Sequence, residues 1–232
     1  MKKTLTKFVA IAGLAATAVM PAKADLTFGL DYIFSGTTAP GLPGPWATAT
    51  LSDVAGGVQL TMSGSGLSGT EFLGSWYFNL KSSLDATSLN IAQQSSSGVT
   101  VDSVSTGADA FKADGDGFFD ILFDFAQSGA GRFEAGDSVT YLITGIPGLT
   151  AADFNYASET GGGQGVYFSA AHLQSLSNGQ SDWIGDGDGG GRDTGGPVPE
   201  PSTYLVLGSF VGLAVYLKRR IASVAQFSVA KA

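Results

Sequence analysis

The sequence predicts an all-β fold for the central part of the chain, an antiparallel β-sandwich of jelly-roll type. Short segments that alternate between apolar and polar residues recur along the chain, separated by clusters rich in glycine, serine and aspartate. No convincing helical segment lies between them, which argues against a fold built from β-α-β units. The chain has 34 glycines and no cysteine, so its hydrophobic core, rather than disulfides, must hold the fold.

The alternation of apolar residues locates the individual strands. Residues 46–51 and 58–62 alternate on either side of Gly56-Gly57 and are expected to form a hairpin. The segment 72–80 has Trp76-Tyr77-Phe78 at its centre, which favours a core strand over an exposed stacking platform. Further strands are predicted at 32–34, 84–91, 99–104, 118–125, 139–143 and 166–173, and Trp183-Ile184 are the last residues expected to pack.

Two connections between these strands have a recognisable pattern. The run Gln-Gln-Ser-Ser-Ser-Gly at 93–98 is predicted to separate two strands. The segment 149–154 is predicted to form a single helical turn, with Thr150 as its cap and Asp153 at the capping-box position.

The N-terminus is predicted to be a secretory signal peptide, residues 1–24. A basic start that includes Lys2, Lys3 and Lys7 precedes an apolar run at 8–20, and Pro21 ends that run. Ala22-Lys23-Ala24 has the small-x-small pattern of a cleavage site, so cleavage is expected between Ala24 and Asp25. The alternative is a retained N-terminal anchor, for which the apolar run is short. No twin arginine is present, so the general secretory route is expected.

The C-terminal tail has an extended box, a short apolar run and a basic cluster, in that order. Pro199 and Pro201 remove two backbone donors and hold the box extended. Residues 204–217 carry no charge, and as a helix they would span about 21 Å, against roughly 30 Å for the hydrocarbon core of a membrane. Lysine and arginine stay on the cytoplasmic side, which orients everything upstream outward.

This tail resembles the PEP-CTERM sorting signal that exosortases recognise in Gram-negative bacteria that make extracellular polysaccharide. The resemblance covers residues 198–220 and rests on Val198, Pro199, Glu200, Pro201, Ser202, Thr203, Lys218, Arg219 and Arg220. It implies transient insertion into the inner membrane, cleavage by exosortase near the box, and delivery to the cell surface or extracellular matrix. The chain continues through residues 221–232, a cytoplasmic extension longer than family members usually have. The alternatives are an ordinary single-pass anchor and a buried apolar helix.

The exported part is predicted to comprise an ectodomain at 25–184 and a flexible glycine- and aspartate-rich tether at 185–197. Residues 25–197 contain four basic residues against nineteen acidic ones, a net charge of −15. Such a charge repels nucleic acid and attracts divalent cations. Three blocks, 75–80, 112–125 and 170–172 with Trp183-Ile184, also resemble a recurrent ectodomain of PEP-CTERM proteins, and this resemblance implies no catalytic residue.

The sequence does not single out a catalytic group. His172 is the only histidine, which leaves no imidazole partner for zinc, and no Gly-x-Ser-x-Gly elbow accompanies it. We interpret it as a structural residue of its strand. A glycosidase needs two carboxylates, but no pair of acidic residues stands out from the others. The domain is therefore predicted to be non-enzymatic.

The turn before the strand at 118–125 has two interpretations. Asp114-Gly115-Asp116-Gly117 followed by Asp120 could supply oxygen ligands from Asp114, Asp116 and Asp120 to Ca²⁺. The spacing does not match an EF-hand, and the motif is not a repeated array. The structural alternative is that Asp-Gly pairs form a tight turn. No other cofactor is indicated.

Two functions agree with this sequence. The first is a non-enzymatic protein of the cell surface or extracellular matrix, associated with polysaccharide or biofilm and processed by exosortase. The second is a lectin-like, carbohydrate-binding sandwich that uses Ca²⁺ or exposed aromatic rings. Exposure of Trp46 and Trp183 on one face would favour the second function, whereas their burial would favour the first.

Overall fold

The structure is a computed structural model that describes residues 25–36, 40–114, 116–162 and 165–186. The described residues form one compact unit. The predicted signal peptide, the predicted sorting signal and the part of the predicted tether beyond residue 186 lie outside them. In the part that is described, no helix is both long enough and apolar enough to cross a membrane.

The described chain folds into ten strands and three short 3₁₀ turns. The strands are β1 (Leu26–Ser35), β2 (Ala47–Val54), β3 (Gly57–Ser63), β4 (Phe72–Phe78), β5 (Asn90–Ser97), β6 (Val101–Ala113), β7 (Asp116–Phe125), β8 (Ser138–Thr144), β9 (Ser169–Gln174) and β10 (Asp182–Asp186). The 3₁₀ turns are Ala86–Ser88, Gly129–Gly131 and Ala151–Phe154. The last of these is the predicted helical turn, and the Asp153 carboxylate accepts the Thr150 backbone N–H at 2.9 Å, as a capping box requires.

All ten strands belong to one nearly closed antiparallel sheet with the order β5-β8-β3-β2-β1-β10-β9-β4-β7-β6. This confirms the prediction of an all-β, antiparallel fold. The strands lie in one sheet rather than in the two separate sheets of a jelly-roll sandwich, because β1 pairs with β2 on one side and with β10 on the other. The predicted hairpin is β2–β3, with Val54 opposite Gly57.

The structure differs from the prediction at β1, which begins at Leu26 rather than at Tyr32, and at three further strands. The Gln/Ser run predicted as a connection lies in β5, paired with β8, whereas Ala86–Ser88 in the predicted strand 84–91 forms a 3₁₀ turn capped by the Asp85 carboxylate. Strand β6 continues nine residues past Val104, to Ala113, because it pairs with β7. Gly185 and Asp186 belong to β10 rather than to the tether. For β5, β6 and β10, pairing with a neighbouring strand outweighs the local sequence pattern.

The core lies on the inner face of the sheet. Alternate residues of the strands bury their side chains there, as in β4, where Trp76 and Phe78 are at most 1% exposed. Tyr77 lies between them and therefore points to the opposite face, where it joins a second apolar cluster with Ala113, Phe119, Tyr167 and Ala170. Strand β4 is thus covered on both faces, which explains why all seven of its residues are buried.

Candidate functional site

The tip of the β6–β7 hairpin holds Asp114 and Asp116. Ala113 at the end of β6 pairs with Asp116 at the start of β7, and Asp114 lies in a turn next to this pair. The Asp114 carboxylate accepts a hydrogen bond from the Ser35 hydroxyl. Asp116 is 4% exposed, and its Oδ1 atom has no hydrogen-bond partner in the described part of the structure.

Asp120 lies four residues further along β7, about 13 Å of extended strand from Asp116. Its Oδ2 atom accepts the Leu80 backbone N–H at 2.8 Å, and its Oδ1 atom accepts the Asp109 backbone N–H at 2.8 Å. Both oxygens therefore fix backbone rather than face the hairpin tip. Among the described residues, no group of three or more acidic or histidine side chains is arranged to hold a metal ion. The structure does not bring the three predicted calcium ligands together.

His172 lies on β9, between Trp183 of β10 and Ser75 of β4. Its ring stacks on the Trp183 ring, with the centroids 4.5 Å apart and the planes 17° from parallel. Burial lowers the pKa of His172, and the negative charge of Asp114 opposes that shift. This packing agrees with the structural interpretation of the histidine.

Trp46 and Trp183 do not form a shared exposed platform. Trp46 is 7% exposed within the main core, and its indole N–H donates to the Leu42 carbonyl at 2.5 Å. Trp183 is half-buried and packs on the second cluster, near Phe34 and Tyr77. This burial favours the scaffold interpretation for both tryptophans.

A cleft of about 130 Å³ lies beside the end of β4. One wall comes from an irregularity in β6: Thr106 pairs with Ile121 and Phe111 with Phe119, so residues 107–110 bulge out of the ladder. The loop after the third 3₁₀ turn forms another part of the lining. The cleft is lined by Asn79, Leu80, Ser82, Leu84, Ala86, Ala108, Asp109, Asp120, Tyr156, Ala157 and Glu159.

Backbone contacts hold the walls of the cleft in place. Asp120 links the bulge to the segment that follows β4, because its carboxylate accepts the backbone N–H groups of Asp109 and Leu80. Glu159 is placed by a bridge to β7, in which the Phe118 backbone N–H donates to the Glu159 carbonyl at 2.7 Å. Asn79 is 3% exposed, and its amide donates to the Tyr167 carbonyl at 3.2 Å. Hydrogen bonds within the folded domain therefore hold the segments that line the cleft.

The cleft combines negative charge with an exposed aromatic ring. Burial raises the pKa of Asp109, and the charges of Asp120 and Glu159 raise it further. The Asp109 backbone has a positive φ of 49°, an uncommon conformation for a residue with a side chain. Tyr156 is 39% exposed. Carboxylates that accept hydrogen bonds from hydroxyls, next to an exposed ring, are groups that can bind a sugar.

Sequence reasoning singled out Asp120 but missed Asp109, Tyr156 and Glu159. These residues come from separate segments that only the folded sheet brings together, so no local motif marks them. A tyrosine between two predicted strands was the one available signal. No significant match to the chain was found among protein-family models, curated proteins or solved structures.

Proposed function

We propose that this chain is an exported, non-enzymatic protein of the cell surface or extracellular matrix, which an exosortase sorts and processes through its PEP-CTERM-like tail. The observation that carries the proposal is the order of features at 198–220: the Pro199-Glu200-Pro201 box, fourteen uncharged residues at 204–217, and Lys218-Arg219-Arg220. The predicted signal peptide at the other end of the chain supports the same destination.

The proposed processing has a simple physical basis. The two prolines keep the box extended, so its backbone is accessible to a protease at the membrane face. The apolar run is shorter than a typical membrane span, so it anchors the chain weakly. The basic cluster keeps the tail from passing through the membrane. Strand β10 ends at Asp186, which leaves twelve residues before Pro199. Fully extended, they reach about 40 Å and keep the folded domain clear of the enzyme.

The test is fractionation of the full chain in a host with an exosortase. Replacing Pro199, Glu200 and Pro201 by alanine should leave the protein uncut in the membrane fraction, whereas the wild-type protein should leave it. Pro197→Ala, which removes a proline outside the box, is the matched control and should behave like the wild type. Equal release of the triple variant and the wild type would contradict the proposal.

A second candidate function is carbohydrate binding, and the cleft at Asp109, Asp120, Tyr156 and Glu159 is the observation that favours it. Its three carboxylates disfavour an anionic polymer, because like charges would be brought together. The ligand should therefore be a neutral polysaccharide or one with amino sugars. A matrix protein could also use such a cleft, so this function is compatible with the first.

The test for this second function is binding of the processed protein to neutral, amino-sugar and uronic-acid polymers. Tyr156→Ala should weaken binding by about tenfold, since stacking on an aromatic ring contributes roughly 1–2 kcal/mol. Tyr32→Ala is the matched control, because Tyr32 is similarly exposed, at 36%, but does not line the cleft. Equal binding by both variants would exclude the cleft as the binding site. Release of sugar from the polymer would indicate an enzyme.

A further inference from the structure

The nearly closed sheet has two edges, β5 and β6. Among the described strands, β5 pairs only with β8. Seven of its eight residues are exposed, and the eighth, Ile91, packs partly against the core. The backbone on the far side of β5 is thus available to another strand, and such edges are templates for pairing with a second chain.

The two edges differ in charge. Strand β6 carries Asp102, Asp109 and Lys112, the kind of residues that protect an edge from pairing. Strand β5 carries none, and the chain has no charged residue between Asp85 and Asp102. In an exported region with a net charge of −15, this stretch is where two copies can approach with the least repulsion.

The side chains of β5 also suit a copy of themselves. Its sequence, NIAQQSSS, is rich in amides and hydroxyls, each of which can both donate and accept a hydrogen bond. Two identical strands that meet antiparallel about a twofold axis place such groups opposite one another. One feature limits this pairing: the register with β8 shifts between Gln93 and Ser95, which marks a bulge and adds local twist.

We propose that β5 pairs antiparallel with β5 of a second copy of this chain, which joins two ten-stranded sheets about a twofold axis. The bulge keeps the paired segment short, so the association is weak and depends on concentration. A protein concentrated at a surface or in a matrix would meet this condition. The inference concerns assembly and does not depend on whether exosortase cuts the tail.

Cysteine scanning tests the geometry, and the chain contains no cysteine of its own. Each residue from Asn90 to Ser97 is replaced by cysteine, one at a time, in the full chain, and intact cells are treated with an oxidant. About a twofold axis, one position faces its own copy, whereas positions two residues away are separated by about 13 Å, too far for a disulfide. Dimer formation should therefore peak at one position and fall on both sides.

The matched control is Gln59→Cys, since Gln59 is exposed like Gln93 but lies on an interior strand, β3. It should give only background dimer. A profile that is flat at the level of this control would overturn the proposal.

A second readout does not require a new disulfide. Two full-length copies with different tags should co-purify, and Gln93→Lys should reduce co-purification at least tenfold by placing a charged side chain on the pairing edge of each copy. Gln59→Lys should not change it. A melting temperature measured for each variant checks that it is folded. Undiminished co-purification of a folded Gln93→Lys variant would also overturn the proposal.

Discussion

Asp114 at the tip of the β6–β7 hairpin accepts a hydrogen bond from the hydroxyl of Ser35 at the end of β1. The hairpin thereby reaches across the outer face of the sheet, and Phe119 on its second strand packs on Tyr77, with ring centroids 5.5 Å apart. Asp114, which the sequence marked as a candidate metal ligand, thus has a structural role. Its hydrogen bond to Ser35 helps to hold the hairpin over the second apolar cluster.

The contact between Ser35 and Asp114 should be measurable in a double-mutant cycle. Each single alanine variant should lose about 1 kcal/mol of unfolding free energy, as for a hydrogen bond to a charged group at the surface. The double variant should lose less than the sum of the two, and urea denaturation provides the measurement. Additive losses would show that the two side chains do not interact.

Calcium should have no effect on the stability of the domain. Asp120 accepts two backbone N–H groups and lies away from Asp114 and Asp116, so the described carboxylates offer no converging ligand set. Melting temperatures with millimolar Ca²⁺ and with chelator should agree. A rise with Ca²⁺ that Asp116→Ala abolishes would restore the metal interpretation.

Tyr141→Phe should leave the domain as stable as the wild type, or stabilise it by about 1 kcal/mol. The Tyr141 hydroxyl is buried and has no hydrogen-bond partner among the described residues, so its removal eliminates a desolvation cost. Phe123→Ala, which truncates the ring that packs on Tyr141 at 4.9 Å, should cost about 3–5 kcal/mol. A loss above 1 kcal/mol for Tyr141→Phe would mean that the hydroxyl has a partner.

The stability of the domain should depend on the protonation of Asp186. Burial raises the pKa of this carboxyl group from 3.8 to about 7. The folded-state pKa of Asp186 lies above its unfolded-state pKa. Its contribution to the unfolding free energy is therefore fully present below pH 4 and is lost as the pH rises through 7. Its size is at most about 4 kcal/mol. Asp186→Asn should flatten the unfolding free energy between pH 4 and pH 8.

Asp85→Asn is the control for this pH dependence. The Thr87 hydroxyl and backbone N–H lower the pKa of Asp85, so its titration falls below this range. That variant should keep the wild-type slope. If the unfolding free energy of Asp186→Asn changed with pH as steeply as that of the wild type, groups other than Asp186 would control the pH dependence.

The parts of the fold that the sequence predicted are those with a buried face. Strands β2, β3, β7 and β8 bury alternate residues, and the period of two was visible in each. Strand β5 was missed because an exposed edge strand shows no alternation of apolar and polar residues, and Gln/Ser runs are equally typical of loops. The length of β6 is set by its partner β7 rather than by its own residues.

The candidate cleft could not be predicted from any single segment of the sequence, for a related reason. Asp109 lines it only because residues 107–110 bulge out of the β6–β7 ladder, and that bulge follows from pairing on both sides of it. The proposed sorting signal is the opposite case, since its chemistry would lie in contiguous residues and would need no fold.

The proposed export and processing can be tested by the intact mass of the wild-type protein recovered from a host with an exosortase. The proposal predicts a mature chain that begins at Asp25 and ends near Glu200, without residues 204–220. A steady-state protein that still carries Lys218-Arg219-Arg220 would contradict it, and the tail would then be only an anchor.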